Sequence, residues 1–153
     1  LEELGLRRRV HDPDEPVDKL RGGYPGAKTK PDRTVEPGER IGSLEVIASP
    51  GHTPGHIALL DSRDSTLFCG DLMTQLGEAD PLVDNDVLAA AAVAEDMFGA
   101  TCLTPATAPT IRRLADLGAT TLATMHGSAF NGDASAALNA LADSYDERLL
   151  VAG

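Results

Sequence analysis

The chain has 153 residues, 42% hydrophobic and 24% charged, which suits one folded domain and excludes a disordered polymer. Its formal net charge of −11 argues against nucleic acid or an anionic membrane as the main partner, because both call for clustered Lys and Arg. No apolar run approaches the roughly 20 residues that span a bilayer, and two cysteines, Cys69 and Cys102, are too few for a disulfide framework, so a cytoplasmic location is expected.

In chain order, Leu1 to Gly5 reads as the last turn of a helix closed by glycine, and residues 6–10 as a short edge strand. That opening, without Met, leads to the expectation that further sequence precedes it. Residues 11–40 are polar and rich in Pro and Gly, a long irregular segment. Glu36-Pro37-Gly38-Glu39 inside it reads as a tight turn. Leu44 to Ala48 alternates as a strand with both faces partly covered. Residues 57–60 and 66–69 form two further strands joined by the turn 61–65, a hairpin.

After Asp71 the spacing turns helical. Residues 86–98 make an Ala-rich helix that Gly99 can end. Residues 109–117 make a second, with Pro109 at its first position and Gly118 past its end. Residues 120–125 are β-branched and apolar, a fourth strand. Residues 133–150 form a last helix with Asp133 as N-cap and Ala137, Leu138, Leu141, Tyr145 and Leu149 on its apolar face. The order β-β-β-α-α-β-α implies an α/β (α+β) domain, a mixed sheet with packed helices. Residues 41–130 make up the β-rich core with its helices.

There are four histidines, His11, His52, His56 and His126. Three of them lie next to glycine after a strand, where a side chain can project from a rigid sheet edge into a cleft. Pro50 cannot continue the ladder of residues 44–48, and Gly51 allows the bend that presents His52. Pro54-Gly55 fits the centre of a type II turn, which rules out a helical pairing of His52 with His56. Gly70-Asp71 and His126-Gly127 end their strands in the same way. Three strands therefore each deliver one His or Asp to the same edge. Cys69, on a strand beside Gly70, reads as a small core residue.

Pro50-Gly51-His52-Thr53-Pro54-Gly55-His56, then Phe68-Cys69-Gly70-Asp71, then Met125-His126-Gly127, resembles the metallo-β-lactamase-fold superfamily, in the order and spacing of its glyoxalase II-like hydrolase branch. The resemblance covers residues 40–130 and implies the C-terminal part of an αβ/βα sandwich. It implies His52 as ligand of one metal, His126 as ligand of a second, and Asp71 as the catalytic carboxylate bridging both. His56, Gly51, Gly70 and Gly127 would support these ligands, and His11 matches nothing. Two divalent ions are implied, zinc first, with iron or manganese as alternatives.

The implied activity is hydrolysis of an ester, thioester, lactone or amide of a small-molecule substrate by metal-activated water. The alternatives are a diiron oxygen-binding or oxygen-reducing protein of the same fold, or a non-catalytic domain that forms a homodimer or pairs with a separate N-terminal half. The superfamily's His-x-His-x-Asp-His motif has no counterpart in residues 1–51. A domain without it is incomplete, and alone it is expected to bind metal weakly and to lack efficient catalysis.

Overall fold

The computed structural model describes residues 33–76, 80–84, 87–99, 101 and 103–152. The expected helix end at residues 1–5, the strand at 6–10, most of the 11–40 segment, His11, Asp86 and Cys102 lie outside the described residues.

Pro37 and Gly38 make the expected turn. Gly38 takes a φ of +88°, and the Glu39 N–H donates to the Glu36 carbonyl at 3.0 Å. From there β1 (Arg40–Ile41), β2 (Leu44–Ala48), β3 (Ile57–Asp61) and β4 (Thr66–Gly70) run as an antiparallel meander. A crossover through β5 (Leu82–Val83), α1 (Val87–Phe98) and α2 (Thr107–Ala115) brings β6 (Thr121–Thr124) parallel beside β4. Then β7 (Ala129–Asn131) folds back antiparallel on β6, and α3 (Ala134–Ala152) follows. The sheet has seven strands in the order β1-β2-β3-β4-β6-β7-β5. The α/β reading with a mixed sheet and packed helices is what the structure shows.

Three strands escape the periodicity reading. Two have two residues and one has three, too few to display alternation. Pairing creates them: Phe130 sits opposite Leu122, and Val83 opposite Phe130. The second helix also begins earlier than Pro109. The Thr107 hydroxyl accepts from the Thr104 N–H at 3.0 Å, and the Thr104 hydroxyl accepts from the Ala106 N–H at 3.2 Å, so the turn before the helix is closed by side chains. Pro109 then falls in the first turn, where a missing N–H leaves no intrahelical bond unmade. Asp133 caps α3 as expected, its carboxylate accepting from the Ala136 N–H at 2.9 Å.

All three helices contribute to the core on one face of the sheet. Ala58, Leu67, Cys69 and Leu122 supply the sheet side; Ala91, Ile111, Leu114, Leu138, Leu141 and Tyr145 supply the helix side. Each fully buried Leu contributes about 1.5–3 kcal/mol. The Cys69 thiol lies in this core, and burial pushes its pKa up to about 12, so it stays protonated and inert. Across α2 and α3, Arg112 reaches Asp143 at 2.7 Å and Asp146 at 2.8 Å. Among the described residues no helix is long and apolar enough to cross a membrane.

The opposite sheet face carries Val46, Leu59 and Phe68 in one cross-strand row. Val46 is fully buried, whereas Phe68 is 43% exposed.

Candidate metal centre

Strands β2, β4 and β6 point the same way, and their C-terminal ends make one rim of the sheet. His52 follows β2, Asp71 follows β4 and His126 follows β6. The structure brings these three side chains together. His52 Nε2 lies 4.0 Å from Asp71 Oδ2, and His126 Nε2 lies 3.4 Å from Asp71 Oδ1. Each histidine thus faces a different oxygen of one carboxylate. His52 and Asp71 are 28% and 29% exposed and His126 is 63% exposed, so all three side chains are reachable from solvent.

The glycines beside them have a different purpose from the one expected of Gly51. Its φ is not positive. What it lacks is room: a Cβ there would meet Leu72 Cδ2 at 3.0 Å and Thr107 Oγ1 at 3.3 Å. Gly70 needs both properties. Its φ is +57°, and a Cβ would overlap the His56 imidazole. Gly127 likewise has a φ of +91°, and a Cβ would lie 2.5 Å from Gln75 Cβ.

His56 is not a ligand candidate, because both ring nitrogens are engaged. Nε2 accepts the Asp71 N–H at 3.1 Å, which places the ring proton on Nδ1. Nδ1 then donates toward the Ser49 carbonyl at 3.1 Å, with the Ser49 hydroxyl at 2.8 Å. Burial lowers the pKa of this imidazole, and the Ser49 carbonyl opposes the shift. A neutral imidazole therefore ties β2's end to the backbone of Asp71. The 53–56 turn closes through the His56 N–H and the Thr53 carbonyl at 3.2 Å, but Gly55 lacks the positive φ of the type II turn expected there.

Two residues without a sequence signal hold the His126 turn. Gln75 and Thr124 both donate to it, Gln75 from the segment after Asp71 and Thr124 from β6. No local pattern marks them, since their partners are carbonyls brought near only by the fold.

The donor set fits divalent cations. Two atoms about 2.1 Å from one ion at the tetrahedral angle lie about 3.4 Å apart, which is the His126–Asp71 separation. The His52–Asp71 separation is wider, at 4.0 Å. Among the described residues no three His, Cys, Asp or Glu side chains close around one point. Cys69 is buried in the core rather than gathered at the rim.

Fold and rim together define a mixed α/β protein that gathers imidazole and carboxylate at its strand ends. The model of the metallo-beta-lactamase superfamily matches residues 4–142, and the chain belongs to that superfamily. It is 52% identical over 50 residues to a hydroxyacylglutathione hydrolase of Rhodospirillum rubrum, a match covering 30% of this chain and 20% of that protein. It is 49% identical over 59 residues to the uncharacterized protein YobT of Bacillus subtilis, covering 38% of this chain and 25% of that one. A metallo-beta-lactamase family protein from Thermus thermophilus superimposes with a TM-score of 0.55 at 24% identity, over 90% of this chain and 42% of that one. The peroxy diiron form of a chemotaxis sensor gives a TM-score of 0.54 at 21% identity, over 69% of this chain and 49% of that one. The chain spans less than half the length of these relatives.

Proposed function

We propose that this chain carries one part of the binuclear divalent-metal centre of a hydrolase whose substrate is a small ester, thioester, lactone or amide. The observation that supports it is the Asp71 carboxylate, set between His52 and His126 with one oxygen toward each. His52 would hold one ion, His126 the other, and Asp71 both. Zinc is the first choice because imidazole and carboxylate are its usual catalytic ligands, although the same donors accept iron or manganese. The 50-residue likeness to a hydroxyacylglutathione hydrolase favours the thioester end of the substrate range.

Ions held there supply a water that ionises near neutral pH and a polarised scissile carbonyl. The chain's own residues supply position. His56 holds the Asp71 backbone, so the carboxylate keeps its orientation at the strand end. Asp71 would accept a hydrogen bond from the attacking water and orient it toward the carbonyl. Three donors are too few to fill two catalytic sites, so the remaining ligands come from outside the described residues.

Elemental analysis combined with a thioester-cleavage assay, on protein that carries the remaining ligands as well as this chain, tests this reading. Zinc with hydrolysis supports it. Iron with visible absorption and no hydrolysis overturns it in favour of oxygen chemistry at the same ligands. A protein that binds no metal overturns both and leaves a non-catalytic domain.

A further inference from the structure

Gln75 is almost entirely buried, at 7% exposure, four residues beyond Asp71 on an irregular segment. Its main-chain N–H donates to the His126 carbonyl at 3.2 Å, and its side-chain Nε2 donates to the Ser128 carbonyl at 2.7 Å. The Thr124 hydroxyl is within reach of the same two carbonyls, at 3.1 and 3.2 Å. Gly127 lies between them and presses on Gln75, with no space for a side chain. The Ser128 hydroxyl adds a bond to the Asp80 carbonyl at 2.6 Å.

The two donors differ in what they connect. Thr124 belongs to β6 and can tie the His126 turn only to its own strand. Gln75 belongs to the segment that carries Asp71, so its two bonds join the two ligand-bearing stretches. Without the Gln75 side-chain donor the buried Ser128 carbonyl would keep only the Thr124 hydroxyl, whose one proton it shares with the His126 carbonyl, and a buried acceptor short of a donor is costly. The length of the Gln side chain lets one residue bond the carbonyls on both sides of Gly127.

We infer that Gln75 is a positioning residue for the Asp71–His126 pair, a hydrogen-bonded clasp that sets the spacing of the two metal ligands. This rests on the proposed metal centre. Its chemistry is that of an outer residue which orients a ligand without touching the ion.

The test uses the full chain and Co2+ alone, followed by calorimetry and by the visible spectrum of the loaded protein, with thermal melting as a control for folding. Gln75→Met keeps the bulk against Gly127 and the main-chain bond but removes the donor to Ser128. It is expected to fold and to weaken Co2+ binding about tenfold, with a changed ligand-field band. Gln75→Asn, one methylene short, is the gentler variant and is expected to weaken binding by less. A wild-type affinity and an unchanged spectrum in Gln75→Met, or loss of melting temperature with neither changed, would show a structural glutamine and overturn the inference. If the wild-type chain itself takes up no cobalt, the metal centre is what fails. In the metal-free protein, faster amide exchange at Gly127 and Ser128 in Gln75→Met is a second expected result, and unchanged exchange counts against the clasp.

Discussion

The two ends of the sheet use glycine in opposite ways. At the far end, Gly42 and Gly118 have φ of +65° and +71° with nothing within 4 Å of where a Cβ would sit. They turn the chain and nothing more. At the rim, Gly51, Gly70 and Gly127 are pressed against Leu72, His56 and Gln75. The far end is also held by a local device, the buried Asp61 carboxylate bonded three times by the Arg63 side chain and once by its main-chain N–H. The rim adds bonds between separate stretches, His56 to the Asp71 N–H and Gln75 to the His126 and Ser128 carbonyls, alongside local ones from Thr124. The contrast shows that one end of the sheet is built to reverse the chain and the other to bring three side chains to fixed places.

Four substitutions would break or sharpen this contrast. Asp71→Ala removes the group on which both histidines converge. It should lower Co2+ affinity by roughly a hundredfold or more, beyond any outer-layer change, as read by calorimetry. Gly70→Ala adds a clash with His56 to an unfavourable φ and should destabilise by about 3 kcal/mol in urea unfolding. Its partner measurement, Gly42→Ala, meets only the backbone term and should cost about 1 kcal/mol. Equal losses at the two positions would remove the distinction between the ends. His56→Ala leaves the Asp71 N–H and the Ser49 carbonyl unpaired and should cost about 1–3 kcal/mol, with weaker metal binding as well.

The smallest effect belongs to the far end and depends on pH. Arg63 holds the Asp61 carboxyl well below the usual carboxylate range. A carboxylate whose pKa is depressed on folding stabilises the protein above its unfolded value, near 3.8, and that stabilisation is lost as pH falls through the folded value. Asp61→Asn should therefore flatten the acid limb of the stability curve below about pH 4 while leaving metal binding unchanged. A change in metal affinity would mean that the two ends are coupled.

Much of the rim was legible because it is local. A strand that alternates, followed by Gly and a polar side chain, announces where that side chain emerges, and this placed His52, Asp71 and His126 on one edge. The exclusion of His56 as a ligand followed from Pro54-Gly55, although its real occupation, the Asp71 N–H on one nitrogen and Ser49 on the other, did not. Gly51 was legible as necessary but for the wrong reason, since crowding by Leu72 and Thr107 depends on a loop and a helix well removed in sequence. Gln75 was invisible for the same cause. So was β7, a strand that exists because β6 offers it an edge.

The parallel pairing of β4 with β6 has one more consequence. Neighbouring strands lie about 4.8 Å apart whatever joins them. The spacing of Asp71 and His126 thus starts from the ladder and is then trimmed by the turns, where Gln75 bonds the His126 and Ser128 carbonyls. The crossover through α1 and α2 packs one face of the sheet, and the ladder, not the length of that crossover, keeps the two strand ends in register. The two rim positions would therefore tolerate changes in the crossover that leave its buried residues, such as Ala91 and Ala94, in place.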